Sequence, residues 1–363
     1  MRLTVSRPPH SLLVTDMHVA RTCVLSLPVI AAALALGCAK TYDNPFAGSN
    51  PAVAPSAAAA IVFTSNAHGT SPATGREVFA VEESGANPTR LTFCNNDGAT
   101  CSTLEASFGG DRRRGVVRRV LADTDSDGRL TGADGEGVFL VDFERSVEGP
   151  LLPAGARVSS VDWSGVSDVV VYSGAGAGTL EDIFRMDPNG QKNVNITNTP
   201  AIRERHPRVD PTGSIAVYER IDATLKGEIW VFLTTQTQSR LTTGGAAGPP
   251  LPQSPYIVGS DADPDYSPNG RTVVFRRLRA LADGRRGHWD LMTVSVDGTG
   301  LTTIVSGAAY RDAPDWGPRG IVFTETGPDG RSEIVIVNPD GGNRRAILAV
   351  GAGVDLGAAR WLP

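Results

Sequence analysis

Two short phrases alternate along most of the chain, and this repetition restricts the fold more than any other feature. The clearest copy of the first phrase is Asp-Pro-Asp-Tyr-Ser-Pro-Asn-Gly at 263–270, which is followed by a Val-Val-Phe segment. Related copies occupy 313–323 and 206–218, a looser copy occupies 160–172, and the weakest copy begins at Glu105. Such repetition is typical of architectures in which one supersecondary unit recurs along the chain.

The second phrase consists of an apolar-alternating strand, a turn with glycine, and a short strand that often ends in Leu-Thr. Glu-Ile-Trp-Val-Phe at 228–232, which leads to Arg-Leu-Thr at 240–242, is one of six such segments. Proline restricts φ at the first turn position of a unit, and glycine accepts the positive φ that ends the turn. Each unit therefore reads as four antiparallel strands, which predicts the blade of a β-propeller.

One aromatic residue of the first phrase predicts the number of blades. Trp163 and Tyr266 are 103 residues apart, which suits two units, and Tyr266 and Trp316 are 50 apart. These intervals match the roughly 40–50 residues of a propeller blade. We expect the aromatic side chains to pack between neighbouring blades.

The two ends of the repeated region predict how the ring closes. The segment 61–63 reads as the second strand of a unit that lacks a first strand, and the segment around Trp361 reads as a first strand without a successor. We therefore expect an all-β fold over residues 60–363. It is a six-bladed β-propeller of four-stranded antiparallel blades, whose C-terminal strand completes the N-terminal blade and leaves no open edge there.

The paired phrases resemble the repeats of the TolB-like β-propeller family. The Asp-Pro-Asp-x-Ser-Pro-x-Gly phrase and the Ile-x-Val, Asp-Gly and Arg-Leu-Thr segments carry the resemblance, which covers about residues 60–363. TolB is a periplasmic protein of the Tol-Pal envelope system with a separate N-terminal α/β domain, where this chain has a tether. The resemblance thus implies a TolB-like lipoprotein rather than a component of that system.

The first 38 residues predict export. A 13-residue apolar run, Val24–Leu36, follows Arg21 and is too short to span a bilayer, as in a secretory signal. It leads into Ala-Leu-Gly-Cys, a lipobox-like sequence that predicts lipidation of Cys38, although Leu34 lies four places before the cysteine rather than three. Cleavage that leaves Cys38 as an ordinary thiol is the alternative. Met17 gives a more usual start for such a leader than the first residue.

Export carries expectations about location and cysteine chemistry. The chain is predicted in the periplasm or on the cell surface, and Lys40 favours an outer-membrane anchor by resemblance to lipoproteins. Residues 39–59 are rich in Ala, Pro and Ser and predict a flexible tether. Cys94 and Cys101 flank an Asn-Asn-Asp-Gly turn, and in an oxidising compartment they are predicted to form a disulfide.

An insertion at 121–136 in the second unit matches the calcium-loop pattern. Three aspartates at alternate positions repel one another unless a cation lies between them, and a glycine allows the sharp turn. The pattern predicts a structural Ca²⁺, with a solvated acidic hairpin loop as the alternative, since aspartate replaces the usual closing glutamate. The predicted ligands are Asp123, Asp125, Asp127, Arg129 through its carbonyl, Thr131 and Asp134.

Charge and motifs exclude several functional classes. The chain has 34 Lys+Arg against 39 Asp+Glu, so it lacks the basic field expected of a nucleic-acid binder. The sequence contains no Gly-x-Ser-x-Gly elbow, Walker loop or dinucleotide fingerprint. His68, His206 and His288 show no metal-ligand spacing. We therefore predict a protein without catalytic activity.

Charged residues in the first phrase predict where a partner binds. Six of them are expected to line the central channel, although hydrogen bonds that cap turns are the alternative role for the acidic ones. Arginines at 112–114 and at 276, 277 and 279 are predicted to be solvated loop residues. The candidate partner-binding residues are His206, Arg208, Asp263, Asp265, Asp312 and Asp315.

These observations predict a monomeric cell-envelope lipoprotein whose propeller holds a protein or peptide partner and meets the membrane only through its lipid anchor. A carbohydrate-binding or glycan-degrading surface propeller is the alternative, and a scaffold whose only ligand is calcium is a third possibility.

Overall fold

A computed structural model of the chain describes residues 52–67, 75–93, 101–124, 130, 136–152, 156–175, 180–233, 237–251, 254–280 and 287–363. All of them belong to one compact unit, Tyr42–Pro363. Within these ranges the regular elements are β-strands. No helix in the same ranges is long and apolar enough to cross a membrane.

The strands form six four-stranded antiparallel sheets, and each sheet is one blade. From the innermost strand outwards, blade 1 consists of β24 (Leu356–Trp361), β1 (Ala59–Ser65), β2 (Glu77–Glu82) and β3 (Thr89–Arg90). Blade 2 consists of β4 (Ser102–Phe108), β5 (Arg114–Val120), β6 (Glu136–Asp142) and β7 (Val147–Pro150). Blade 3 consists of β8 (Arg157–Ser164), β9 (Val169–Ala175), β10 (Glu181–Met186) and β11 (Val194–Asn195).

The second half of the ring repeats this arrangement. Blade 4 consists of β12 (Arg203–Val209), β13 (Ala216–Ile221), β14 (Gly227–Phe232) and β15 (Gln238–Arg240). Blade 5 consists of β16 (Asp261–Tyr266), β17 (Thr272–Ala280), β18 (Gly287–Ser295) and β19 (Thr302–Val305). Blade 6 consists of β20 (Tyr310–Gly317), β21 (Gly320–Thr326), β22 (Ser332–Val337) and β23 (Arg345–Val350).

The innermost strands surround a central channel. β4 contacts β8, β8 contacts β12, and the series continues through β16, β20 and β24 back to β4. The ring closes as predicted, because β24 pairs antiparallel with β1 and Trp361 lies opposite Ile61. The amide of Leu362 also donates to the carbonyl of Ala60 at 2.8 Å. The prediction of a six-bladed propeller closed by the C-terminal strand is therefore confirmed.

Buried aromatic residues fill the interfaces between blades, as the repeat predicted. Trp163 packs with Val116 of blade 2 and with Tyr172 of its own blade. Trp361 packs with Val322 of blade 6 and with residues of blade 1. Blade 4 differs from this rule, because Val209 stands at the end of β12, where the other first strands carry an aromatic residue.

The segment before β1 contacts the propeller, which corrects the boundary of the predicted tether. The amide of Val53 donates to the carbonyl of Leu91 at 3.0 Å. The hydroxyl of Ser146 donates to the carbonyl of Ala52 at 2.9 Å, and Ala52 and Ala54 pack against the core between blades 1 and 2. Residues 52–54 thus contact the propeller, with Ala52 and Ala54 partly buried, although composition alone suggested a flexible linker.

Several predicted features lie outside the described residues. They include the export signal, Cys38, Cys94 and five of the six predicted calcium ligands, namely Asp125, Asp127, Arg129, Thr131 and Asp134. Asp123 is described and half-buried. Cys101 is fully buried and disulfide-bonded, whereas its pairing with Cys94 stays a prediction.

Candidate functional site

Four of the innermost strands carry a bulge at the same place. His206, Asp263, Ala313 and Ala358 have φ values of 49°, 49°, 48° and 46°, and the pairing register shifts beside each of them. Non-glycine residues rarely adopt positive φ, and a bulge re-aims the side chains around it. The bulge divides the polar residues of these strands into one set at the bulge and another set two residues later.

The set after the bulge forms one charged cluster, which we name the mouth cluster. Each blade contributes one side chain from its first strand, which lies near the end of the strand in blades 1 and 3 to 6 and in the middle of β4 in blade 2. Its members are Glu105, Asp162, Arg208, Asp265, Asp315 and Arg360.

Members of the mouth cluster join neighbouring blades through the backbone. The amide of Trp316 in blade 6 donates to Oδ2 of Asp265 in blade 5 at 2.6 Å. The amide of Trp361 in blade 1 donates to Oδ2 of Asp315 in blade 6 at 2.8 Å. Both aspartates thus make side-chain-to-backbone hydrogen bonds, as the alternative interpretation expected, but these bonds connect blades instead of capping turns.

Negative groups outnumber positive groups in the mouth cluster, since four carboxylates face two guanidinium groups. Burial and the neighbouring Asp315 raise the pKa of Asp265 well above its usual range, and burial also raises the pKa of Asp315. Burial opposes ionisation of Glu105 too, but Arg360, Arg118 and Arg208 together outweigh it and lower the pKa of that carboxyl. Asp265 and Asp315 are therefore the carboxyls of the cluster that have too little positive charge nearby to favour their ionised form.

An open cavity of about 290 Å³ lies at this end of the channel, and we name it the mouth cavity. All six blades line it. Asp162, Asp265 and Asp315 contribute carboxyl groups to its lining, and Val166 and Pro318 are exposed at its edge. The cavity is thus acidic and open to solvent, with apolar residues around it.

The set at the bulge forms a second group, the bulge cluster, which contains His206, Glu219, Asp263, Arg276 and Asp312. Nδ1 of His206 lies 2.9 Å from Oε2 of Glu219 and 2.7 Å from Oδ1 of Asp263. Nε of Arg276 lies 2.7 Å from Oδ2 of Asp263, and its Nη1 lies 3.1 Å from Oδ1 of Asp312. The six predicted channel residues therefore divide into two groups of three.

The charges of the bulge cluster reinforce one another. Burial disfavours the charged imidazole of His206, but Asp263 and Glu219 outweigh it and raise its pKa to about 9. Burial likewise disfavours the Asp263 carboxylate, but Arg276 and His206 hold its pKa well below the usual range. His206 is consequently an imidazolium at neutral pH.

The prediction that Arg276 and Arg277 are solvated loop residues was wrong. Both lie on β17 and are 5% exposed. Nε and Nη2 of Arg277 donate to the two carboxylate oxygens of Asp261 at 2.6 and 2.8 Å, and Arg276 pairs with Asp263. Arg279 keeps partial exposure and pairs with Asp290. Their carboxylate partners lie on adjacent strands, so the sequence immediately around the arginines does not reveal these pairs.

Four other members of these clusters were missed in the sequence. Arg360 and Asp162 each precede the aromatic residue of their strand, as Asp315 precedes Trp316, so alignment of the copies could have identified them. Glu219 lies on a second strand, outside the repeated polar phrase. Glu105 belongs to the weakest copy of the phrase, which obscured its role.

No family model matches the chain, and no curated protein matches it by sequence. Among solved structures, TolB from Acinetobacter baumannii aligns with a TM-score of 0.62 and 14% identity over 85% of this chain and 68% of that one. The putative TolB from Agrobacterium tumefaciens aligns with a TM-score of 0.55 and 14% identity over 85% and 100% of the two chains. A chain of the nidogen/laminin complex aligns with a TM-score of 0.57 and 8% identity over 83% and 97%.

Proposed function

The chain has a TolB-like β-propeller fold, and we propose that it is an exported, non-catalytic module that holds a protein or peptide segment in the mouth cavity. The likeness to TolB structures supports a binding role in the cell envelope. The likeness to a chain of the nidogen/laminin complex supports the use of this fold in protein association. We further propose that a lipidated Cys38 anchors the module to the outer membrane.

The observation that carries this proposal is the acidic lining of the mouth cavity. Burial raises the pKa values of Asp265 and Asp315, and the neighbouring Asp315 adds to the rise at Asp265, so both carboxyls have too little positive charge nearby. A basic side chain of a partner, placed between them, supplies the missing cation and restores ionisation of both carboxyls. The mouth cavity therefore suits a segment that presents Lys or Arg.

The size and composition of the cavity suit a short length of polypeptide. A volume of about 290 Å³ accommodates a few side chains rather than a folded domain. The exposed apolar residues at its edge, among them Val166 and Pro318, provide contact area beside the charged lining. Apolar contacts supply affinity and the carboxyls supply specificity for a basic residue.

The state of His206 supports a non-catalytic role. An imidazole whose pKa is about 9 carries a proton at neutral pH, so it cannot accept one as a general base. Trp163 and Trp361 at the mouth cavity are buried between blades, so these two rings do not form exposed platforms on which a sugar could stack.

Isosteric substitutions in the mouth cavity test the proposal. Asparagine at 265 and 315 keeps an oxygen for the amides of Trp316 and Trp361 but removes the negative charge. In a pull-down from envelope extract, wild type recovers a specific protein, and the Asp265→Asn/Asp315→Asn variant loses it. Asp340→Asn, in an exposed turn between β22 and β23, is the matched control and retains it.

The same variants separate the two functional classes. If the mouth cavity binds a basic segment, added salt weakens capture of the partner by wild type. Recovery of equal amounts of protein by wild type and the double variant contradicts the proposal. A glycan-array signal or glycan cleavage by wild type that the double variant loses establishes the carbohydrate alternative instead.

A further inference from the structure

The bulge cluster brings together three groups that ligate metals, from two neighbouring blades. They are the imidazole of His206 on β12, the carboxylate of Glu219 on β13 and the carboxylate of Asp263 on β16. One ligand atom from each lies within 4.8 Å of the other two. We propose that these three side chains bind a divalent transition-metal ion of the zinc class, which displaces the Nδ1 proton of His206 to solvent and ties blade 4 to blade 5 inside the channel.

The separations between the three groups are close to those of a coordinated ion. Nδ1 of His206 lies 2.9 and 2.7 Å from the nearest oxygens of Glu219 and Asp263. A tetrahedral zinc ion with ligand bonds of about 2.0–2.1 Å holds its ligand atoms about 3.3 Å apart. The distances from Nδ1 of His206 to the two carboxylate oxygens therefore need to increase by about half an ångström to admit the ion.

Two buried carboxylate oxygens in the site lack a well-oriented hydrogen bond among the described residues. Glu219 is 0% exposed, and its Oε1 has no well-oriented donor, although the buried hydroxyl of Tyr256 also bonds to this carboxylate. Oδ1 of Asp263 has none either, although Nδ1 of His206 lies 2.7 Å away. A protonated Nδ1 carries a single hydrogen, which cannot be well directed at both carboxylates at once. Buried carboxylate oxygens are normally satisfied, and a metal ion satisfies both at once.

The surroundings hold the ligands in place and leave a path for the ion. Arg276 binds the other oxygen of Asp263 at 2.7 Å, so Oδ1 stays directed into the site. The hydroxyl of Ser160 in blade 3 accepts from the amide of His206 at 3.0 Å, which fixes the bulge. The His206 side chain is 25% exposed, so an ion reaches it from the channel. Such outer contacts orient metal ligands in proteins.

The donor set selects the class of ion. One imidazole nitrogen and two carboxylate oxygens are ligands of zinc and its neighbours in the transition series. Calcium instead takes six to eight oxygen ligands. This site is therefore distinct from the predicted calcium loop at 121–136, and it does not involve the mouth cavity, so its test does not depend on whether a partner binds there.

Metal content and calorimetry with the full chain test the assignment. The protein is stripped with a chelator and dialysed, and Zn²⁺ alone is the probe. Wild type binds one more equivalent of Zn²⁺ than His206→Gln. His288→Gln, which alters another histidine, on β18 of blade 5, is the matched control and binds as many equivalents as wild type. Equal stoichiometry in wild type and His206→Gln, or no binding by wild type, overturns the proposal.

A second measurement needs no variant and covers the case in which His206→Gln does not fold. X-ray absorption of wild type loaded with one equivalent of Zn²⁺ should show nitrogen and oxygen ligands at about 2.0–2.1 Å with one imidazole among them. A ligand shell without imidazole, or one that contains sulfur, overturns the proposal.

Discussion

Arg360 in β24 donates a hydrogen bond from Nη1 to Oδ1 of Asp162 in β8 at 2.8 Å, although 198 residues separate the two in the chain. The same guanidinium donates from Nη2 to Glu105 in β4. All three side chains are buried. The last strand is therefore held by an ion cluster that spans blades 1, 2 and 3, in addition to its pairing with β1.

Removal of the Arg360 charge should destabilise the ring strongly. Arg360→Met leaves the buried carboxylates of Glu105 and Asp162 without this partner, which typically costs about 3–5 kcal/mol. Urea denaturation measures the loss. Arg345→Met removes a partly exposed pair with Glu83, which keeps a second partner in Arg319, so it should cost less than about 1 kcal/mol. Equal midpoints for the two variants would show that the cluster does not secure the last strand.

The first strand of blade 4 ends in a valine instead of an aromatic residue, so a larger side chain at this position should stabilise the protein. Val209 lines a cavity of about 250 Å³ together with Val171 of blade 3 and Phe232 of blade 4. Val209→Phe fills this cavity and should raise the free energy of unfolding by about 0.5–2 kcal/mol. Val194→Phe, at an exposed valine on β11, is the control for added hydrophobicity. A decrease in stability for Val209→Phe would mean that the cleft is too rigid to accept a ring.

Burial of Glu204 should make stability depend on pH. Glu204 on β12 is 0% exposed, and burial raises its pKa from 4.5 to about 7, while the hydroxyls of Thr197 and Thr199 partly offset the rise. Neither of its oxygens makes a well-oriented hydrogen bond within the described ranges. The folded protein holds the Glu204 proton more tightly than the unfolded chain does, because the folded-state pKa is raised. The protonated Glu204 therefore contributes fully to the free energy of unfolding below about pH 4.5, and this contribution is lost as the pH rises through 7.

Glu204→Gln should remove this loss. The difference in unfolding free energy between Glu204→Gln and wild type should grow in favour of the variant by roughly 3 kcal/mol between pH 4.5 and 8. Denaturation at several pH values measures it. Glu144→Gln in an exposed turn controls for the general effect of one lost negative charge. A difference that stays constant with pH would contradict the assignment to Glu204.

We propose that the loop at 121–136 binds a structural Ca²⁺. A chelator should lower the melting temperature of wild type, and Ca²⁺ should restore it. Asp125→Ala should abolish the response to Ca²⁺, whereas Asp329→Ala, in an exposed turn between β21 and β22, should keep it. Any recovery specific to Zn²⁺ should survive Asp125→Ala and disappear in His206→Gln. A melting temperature that chelation and Ca²⁺ leave unchanged would contradict the calcium assignment.

The fold was predictable because it depends on local chemistry that recurs in each unit. The proline and glycine of the three clearest first phrases specify the turn, and the alternating strands specify the blade. The clusters were only partly predictable, because their contacts join different blades. His206 and Asp263 were identified together since both start copies of the same phrase, whereas Arg276 was assigned to solvent because its partners, Asp263 and Asp312, precede and follow it at a distance in the chain.

Site-specific photocrosslinking in intact cells tests the central claim most directly. A photoreactive amino acid replaces either Val166, which is exposed at the edge of the mouth cavity, or Val194, which is exposed on the outermost strand of the same blade. We predict a crosslink from position 166 to one identified protein. The probe at position 194 should give no crosslink to that protein. The crosslink from position 166 should be lost when the probe is combined with Asp265→Asn/Asp315→Asn. The same product from both positions, or an undiminished product in the combined variant, would contradict binding in the mouth cavity.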